Sequence, residues 1–264
     1  MYDLIKYFLK RASGDAPCQV PKVAAGERVY AVGDIHGRHD LLTSMLRVIA
    51  DDAGSFQDAR EARFIFLGDY VDRGDQSAQV LTELCDIAKT EANAFEFLMG
   101  NHEAAMLAFL EDPIRGADWL GWGGRQTLSS YGLAPVSRDP EKAELLVTRD
   151  ALYEKAKDHV PFLRGLQRYT VSGEIIFAHA SLDPALSLQE QPDAALLWGH
   201  ISSGEDAGLP GHRLIHGHFA DHEPVVRPER ICVDTGAYYS GRLTAVRLDD
   251  AETFLHVDVQ DLMP

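Results

Sequence analysis

Three short strings in this chain combine glycine with residue types that bind metal ions. They are Gly33-Asp34-Ile35-His36-Gly37, Gly68-Asp69-Tyr70-Val71-Asp72-Arg73-Gly74 and Gly100-Asn101-His102-Glu103. Each string follows an apolar run that is typical of a β-strand. Carboxylate, imidazole and amide ligands at strand ends suit hard to borderline divalent ions. The three strings therefore predict a site for divalent metal ions.

Six residues of ligand type follow predicted strands, and we take them as the metal-ligand candidates: Asp34, His36, Asp69, Asn101, His179 and His218. Asp34 and His36 lie two positions apart, which puts both side chains on one face of an extended segment. The two oxygens of the Asp69 carboxylate allow it to bridge two cations. Mixed nitrogen and oxygen ligands suit Mn²⁺, Fe or Zn²⁺. Two cations about 4 Å apart would hold a bridging hydroxide and polarise a phosphoryl group, as in a phosphoesterase.

These residues need a scaffold that brings strand ends together. Predicted strands at 28–32, 63–67 and 95–99 alternate with predicted helices at 40–51, 77–90 and 103–110. This alternation favours a parallel, buried sheet, in which ligands gather at the carboxyl ends of the strands. Residues 141–159 are expected to form a further helix. The second half is richer in strands, at 169–172, 175–178, 213–216, 230–233, 243–248 and 253–257, and a hairpin is expected around Gly173. One domain with two packed sheets and outer helices fits this pattern best, and a strand-rich second domain is the alternative.

The first 26 residues are expected to form a short helix and a linker, and residues 27–264 a single domain. Leu4, Ile5, Phe8 and Leu9 share one helical face, and residues 12–26 are rich in Ala, Pro and Gly. A helix docked on the domain is the expectation for this segment, and weak attachment to a membrane surface is the alternative. No run approaches the roughly 18 apolar residues that span a membrane.

The charge composition limits the classes of binding partner that the protein can have. The 264 residues include 41 acidic and 25 basic side chains, for a net charge of −16. Such a balance argues against nucleic acid, which needs a basic footprint, but not against a phosphorylated substrate bound through metal ions. The three cysteines are far apart and form no disulfide framework, so reduced thiols in the cytoplasm are expected.

The chain resembles the PPP-type calcineurin-like metallophosphoesterases. The resemblance is carried by the three strings, by His179 and by the later His216-Gly217-His218. Within that family the chain looks most like bacterial serine/threonine protein phosphatases, and symmetrical diadenosine tetraphosphatases share the second string. The resemblance covers about residues 28–248. It implies an α/β fold, an α+β sandwich of two central mixed β-sheets flanked by helices. It also implies one metal ion on Asp34, His36 and Asp69, and another on Asp69, Asn101, His179 and His218.

The resemblance further implies that His102 protonates the leaving oxygen, that Asp72 orients its imidazole, and that Arg73 binds phosphate oxygens. These roles suit the chemistry, because an alkoxide leaving group needs an acid and a guanidinium binds phosphate in a bidentate manner.

The chain also departs from the family pattern, since Asp183 and His200 stand where arginines are expected. Losing arginine partners weakens the preference for a dianionic monoester. Arg125 and His200 are tentative substrate-binding residues, with a structural ion pair as the alternative for Arg125. His216 and Asp234 are tentative supports of the ligands, with a core histidine and a turn residue as the alternatives.

The sequence thus predicts a cytoplasmic phosphoric ester hydrolase with two divalent metal ions, Mn²⁺ favoured, that acts through a metal-bound hydroxide. The leading hypothesis is a phosphomonoesterase of the serine/threonine protein phosphatase type. A small-molecule phosphodiesterase or a symmetrical dinucleoside tetraphosphatase is the alternative, and an inactive phospho-ligand binding module is the alternative from another class. The metal identity, the substrate and the oligomeric state stay open.

Overall fold

The computed structural model describes residues 21–199 and 208–262. The predicted N-terminal helix, much of the predicted linker and His200 lie outside these residues. Within them the strands are β1 (Glu27–Val32), β2 (Glu61–Phe66), β3 (Phe95–Phe97), β4 (Tyr169–Ser172), β5 (Ile175–Ala178), β6 (Arg213–His216), β7 (Val225–Val226), β8 (Arg230–Cys232), β9 (Arg242–Leu248) and β10 (Glu252–Asp258). The helices are α1 (His39–Gly54), α2 (Ser77–Thr90), α3 (Asn101–Glu111), α4 (Gly124–Ser130), α5 (Lys142–Ala156), α6 (Val160–Gly165), α7 (Asp193–Trp198) and α8 (Ala237–Ser240).

Two five-stranded mixed sheets form the centre of the fold. The first has the order β10-β9-β1-β2-β3, in which β1, β2 and β3 are parallel and β9 and β10 are antiparallel additions. The second has the order β4-β5-β6-β8-β7, in which β5, β6 and β8 are parallel. This arrangement confirms the predicted fold class of two mixed sheets flanked by helices.

The core lies in layers that the side-chain alternation of the strands defines. Val29 and Ala31 of β1 pack with Ile175, Phe177 and other apolar residues of the second sheet. The intervening Tyr30 and Val32 face the helices together with the buried stripe of α1. Because β1 is buried on both faces, its last four residues, 29–32, are all apolar or aromatic, as in parallel central strands.

The element boundaries follow the sequence pattern closely, with a few exceptions. The predicted helix 141–159 is instead α5 followed by α6, with Pro161 in the first turn of α6, where its missing N–H costs no hydrogen bond. The short elements β7, α7 and α8 were not predicted, because they are too short to show periodicity. Among residues 21–199 and 208–262, no helix has the length and hydropathy needed to cross a bilayer.

Candidate metal centre

The candidate ligands meet at the carboxyl ends of strands from both sheets, in loops with an unusual backbone. Within the described part of the chain, the non-glycine residues with positive φ are His36, Asp69, Asp72, Arg73 and His218. All five belong to the predicted site. Such conformations cost energy, and they persist where the surrounding structure holds a functional geometry in place.

Asp69 lies at the middle of the cluster. Its Oδ2 is 3.4 Å from Nε2 of His36, and its Oδ1 is 3.4 Å from Nε2 of His179. One carboxylate therefore belongs to both groups of close metal-ligating atoms, one with His36 and His102 and the other with His179 and His218. Burial opposes the charge of Asp69, but the facing imidazoles of His179, His102 and His36 hold its pKa below the usual range.

Backbone carbonyls fix the orientation of two imidazoles. Nδ1–H of His36 donates to the carbonyl oxygen of Val71, and Nδ1–H of His179 donates to that of Leu67, both at 2.9 Å. Each ring then carries its lone pair on Nε2, which faces Asp69. Burial lowers the pKa of His36 to about 3 and also lowers that of His179, so both rings stay neutral, as metal ligands must.

The second group brings an amide oxygen and two imidazole nitrogens within about 3 Å of one another. Nε2 of His179, which carries a lone pair, lies 3.0 Å from Oδ1 of Asn101, and that oxygen lies 3.0 Å from Nδ1 of His218. Amide oxygen and imidazole nitrogen that converge in this way are ligand types that borderline divalent ions accept. The donor set of this structure therefore fits divalent metal ions.

Asp34 joins the cluster from β1 and has a second carboxyl group beside it. The backbone N–H of His218 donates to Asp34 at 3.2 Å, and the side chains of Asp34 and Asp234 are hydrogen-bonded to each other. Burial and then the Asp234 and Asp69 charges raise the pKa of Asp34. Asp234 thus contacts a ligand carboxylate, not a ligand histidine. A Cβ at Gly217 would overlap Oδ1 of Asp34, which explains the glycine between His216 and His218.

A hydrogen-bonded acid pair lies beside the cluster. Nδ1 of His102 is 2.7 Å from Oδ2 of Asp72, and the His102 Nε2 atom is 3.9 Å from Asp69 Oδ2. Although burial alone would lower the pKa of His102, the Asp69 charge and the bond to Asp72 raise it. The Asp72 carboxylate also accepts Nε1–H of Trp119 at 2.8 Å and the hydroxyl of Thr127 at 2.6 Å. Sequence reasoning missed these two supports.

Arg73 brings a guanidinium to the same space. Its two terminal nitrogens are each 3.0 Å from an imidazole Nε2, one of His36 and one of His102. The side chain is exposed, which leaves donors available to a ligand. Arg73 therefore lies between the predicted acid and the first group of metal ligands, where an anionic substrate would bind.

Glu103 is a further residue that the sequence analysis did not assign. Its buried carboxylate accepts four backbone N–H groups, those of Asp69 (2.9 Å), Tyr70 (2.7 Å), Val71 (3.2 Å) and Gly100 (2.9 Å). It therefore ties the second string to the third. The sequence signal was its position at the third residue of α3, where a glutamate commonly reaches back to the helix start.

Arg125, His216 and Asp183 each form hydrogen bonds to backbone groups close to them in the sequence. Arg125 lies in α4, and its guanidinium donates to the carbonyl oxygens of Val136 and Arg138. Nδ1–H of His216 donates to the Gly217 carbonyl, and its buried ring has no described contact with a ligand candidate. Asp183 accepts the N–H of Ala185 and stabilises the turn that follows His179.

The Asp69 carboxylate, the imidazoles around it and the His102–Asp72 pair thus lie together at the ends of two mixed sheets. The model of the calcineurin-like phosphoesterases matches residues 27–223, and the chain belongs to this family of dinuclear metal-dependent enzymes. The predicted family is confirmed.

Relatives of two kinds are found. A bis(5'-nucleosyl)-tetraphosphatase PrpE [asymmetrical] of Anoxybacillus flavithermus is 27% identical over 88% of this chain and 94% of its own. The serine/threonine-protein phosphatase SIT4 of Candida albicans is 35% identical, but over 40% of this chain and 30% of its own.

Solved structures support the fold. One described provisionally as a diadenosine tetraphosphatase has a TM-score of 0.56 at 21% identity, over 90% of this chain and 97% of its own. A protein serine/threonine phosphatase of Saccharomyces cerevisiae, similar to human PP5, has a TM-score of 0.57 at 13% identity, over 92% and 85%.

Proposed function

We propose that this protein hydrolyses dinucleoside tetraphosphates with two divalent metal ions, Mn²⁺ favoured. Asp34, His36 and Asp69 hold one ion, and Asp69, Asn101, His179 and His218 hold the other. When bound, the ions supply an activated water and polarise the phosphoryl group. The observation that carries the chemistry is the His102–Asp72 bond of 2.7 Å beside the Asp69 cluster.

The protein side chains bind the phosphate and protonate the leaving group. Arg73 binds phosphate oxygens and aligns the phosphoryl group, since its terminal nitrogens face the cluster. His102, whose pKa Asp69 and Asp72 raise, donates a proton to the departing oxygen through Nε2. Buried free thiols at Cys85 and Cys232 support a reducing compartment such as the cytoplasm.

The choice of substrate rests on the extent of the similarity. The PrpE relatives match along almost their whole length, whereas SIT4 matches over 106 residues, 30% of its own length. The higher local identity to SIT4, 35%, favours phosphoprotein monoesters as the second candidate.

A substrate panel tests the proposal on the Mn²⁺-supplemented protein. It contains diadenosine tetraphosphate, a phosphopeptide, a nitrophenyl monoester and a bis-nitrophenyl diester. We expect the highest kcat/KM for diadenosine tetraphosphate, and chromatography of the products shows whether AMP with ATP or two ADP molecules form. A higher kcat/KM for the phosphopeptide or the diester would overturn this choice of substrate.

A further inference from the structure

Exposed aromatic side chains gather around the candidate metal centre. In the part of the chain that the structure describes, the exposed aromatic residues are Trp122, Tyr153, Phe219, Tyr238 and Tyr239, with exposed fractions between 38% and 51%. Tyr153 lies on α5, which contributes no residue to the candidate centre. Exposed apolar surface of this kind, concentrated at one place, marks a binding site.

The first of two aromatic walls, the tyrosine wall, consists of Tyr238 and Tyr239 on α8. Their ring centroids are 4.9 Å apart. The Tyr238 ring lies 5.4 Å from that of His36, and the guanidinium carbon of Arg73 lies 5.0 Å from the centroid of Tyr238. This wall therefore borders the first group of ligands and the phosphate-binding arginine.

The second, the tryptophan wall, consists of Trp122, Trp198 and Phe219. The rings of Trp122 and Trp198 are 5.4 Å apart, and Phe219 lies against Gly199, the residue after Trp198. Phe219 is 4.8 Å from the ring of His218. At the other end of this wall, Gly123 follows Trp122 and packs against the backbone of Arg73. The tryptophan wall therefore runs from Arg73 to the second group of ligands.

We propose that the two aromatic walls bind the two nucleobases of the substrate, with the polyphosphate chain between them at Arg73 and the metal centre. This inference rests on the proposed function and extends it to base recognition. Flat aromatic side chains stack on any base, at about 1–3 kcal/mol for each base. Because the net charge is −16, the protein surface offers little electrostatic attraction to a polyphosphate, and stacking supplies affinity that charge does not.

Calorimetric binding of AMP and of ribose 5-phosphate to the Mn²⁺-loaded protein tests the walls, because the two probes share the phosphate and the sugar. Stacking predicts that AMP binds about 5- to 150-fold more tightly. We expect Trp122→Ala and Tyr239→Ala each to reduce this ratio, and Trp122→Phe to retain most of it. Tyr153→Ala is the matched control, since its ring is equally exposed but lies on α5, which contributes no residue to the candidate centre, and it leaves the ratio unchanged.

The outcomes distinguish a failure of the base-binding proposal from a failure of the proposed substrate. Equal Kd values for AMP and ribose 5-phosphate would overturn the proposal that the walls bind bases, even if diadenosine tetraphosphate is hydrolysed fast. A preference for AMP that the wall variants abolish supports the walls, even if the substrate panel rejects diadenosine tetraphosphate. Wall variants that weaken binding of a phosphopeptide while keeping the AMP ratio would assign the walls to peptide recognition and overturn the inference.

Discussion

The carboxylate of Glu103 accepts the backbone N–H of Tyr70 at 2.7 Å, so a residue at the start of α3 holds the loop that follows β2. The same carboxylate accepts the N–H of Asp69 and of Gly100 through its other oxygen. Asp69 is the residue shared by both groups of candidate metal ligands. Glu103 therefore positions the centre of the cluster through the backbone, and two strings that are separate in sequence become one rigid unit.

Glu103→Gln should weaken this unit although it is nearly isosteric. The amide NH₂ replaces one acceptor oxygen and leaves two buried N–H donors unpaired, at a cost of about 1–3 kcal/mol each. We expect a lower free energy of unfolding in urea and fewer metal ions by elemental analysis. Glu111→Gln, at an exposed position on the same helix, is the control. Unchanged stability together with full metal content would contradict the positioning role of Glu103.

Asp69→Asn should remove both metal ions and the activity together. The Asp69 oxygens face His36 and His179 at 3.4 Å, so the loss of its charge affects both groups of ligands. Metal content should fall towards zero and hydrolysis to background, whereas Asp75→Asn, exposed in the same loop, should resemble the wild type. Turnover at the wild-type rate with two ions bound would show that Asp69 is no bridge.

His102→Asn should lower turnover while metal ions stay bound, because His102 is expected to act as the acid and not as a ligand. General acid catalysis contributes about 10²–10⁴-fold, and it matters less when the leaving group is already a weak base. We therefore expect a larger loss with an alkyl phosphate than with a nitrophenyl phosphate. The same fractional loss for both leaving groups would argue against the acid role, and His222→Asn, at an exposed position, serves as the control.

The ligand candidates were predictable because their signal is local. Each candidate follows an apolar strand within a few residues: Asp34, His36, Asp69, Asn101, His179 and His218. The carboxyl ends of parallel strands lie at the same edge of a sheet, so residues that follow them come close together. The same reasoning predicted the β4–β5 hairpin around Gly173, which the antiparallel pairing confirms. Local pattern and the geometry of parallel sheets therefore determine most of the candidate centre.

The hydrogen bonds that hold Asp72 and Glu103 in place were not predictable, because the residues that form them are distant from each other in sequence. Trp119 and Thr127 reach Asp72 across 47 and 55 residues, and Tyr70 lies 33 residues before Glu103. No periodicity or spacing shows such contacts. The antiparallel addition of β9 to β1 was missed for the same reason. The bonds of Arg125 were not predictable either, because the carbonyl groups of Val136 and Arg138 that bind its guanidinium lie on the chain segment after α4.

Asp72→Asn should shift the pH dependence of kcat/KM. The bond from His102 to Asp72 is one of the interactions that raise the pKa of His102 against the effect of burial, so removing this charge lowers that pKa. An acid acts in its protonated form, and its activity is lost as the pH rises through its pKa. The alkaline limb of the profile should therefore move to lower pH, by about one unit.

Thr127→Val is the matched comparison for this shift. It removes a 2.6 Å hydrogen bond to Asp72 but keeps the carboxylate charge beside His102. We expect a lower kcat from poorer orientation of the carboxylate, with the alkaline limb in its wild-type position. If both variants left the limb in place, Asp72 would not tune His102, and the acid would have to be sought in another group of the centre. Separate effects of charge and orientation would instead establish that the buried carboxylate acts on the proton of His102.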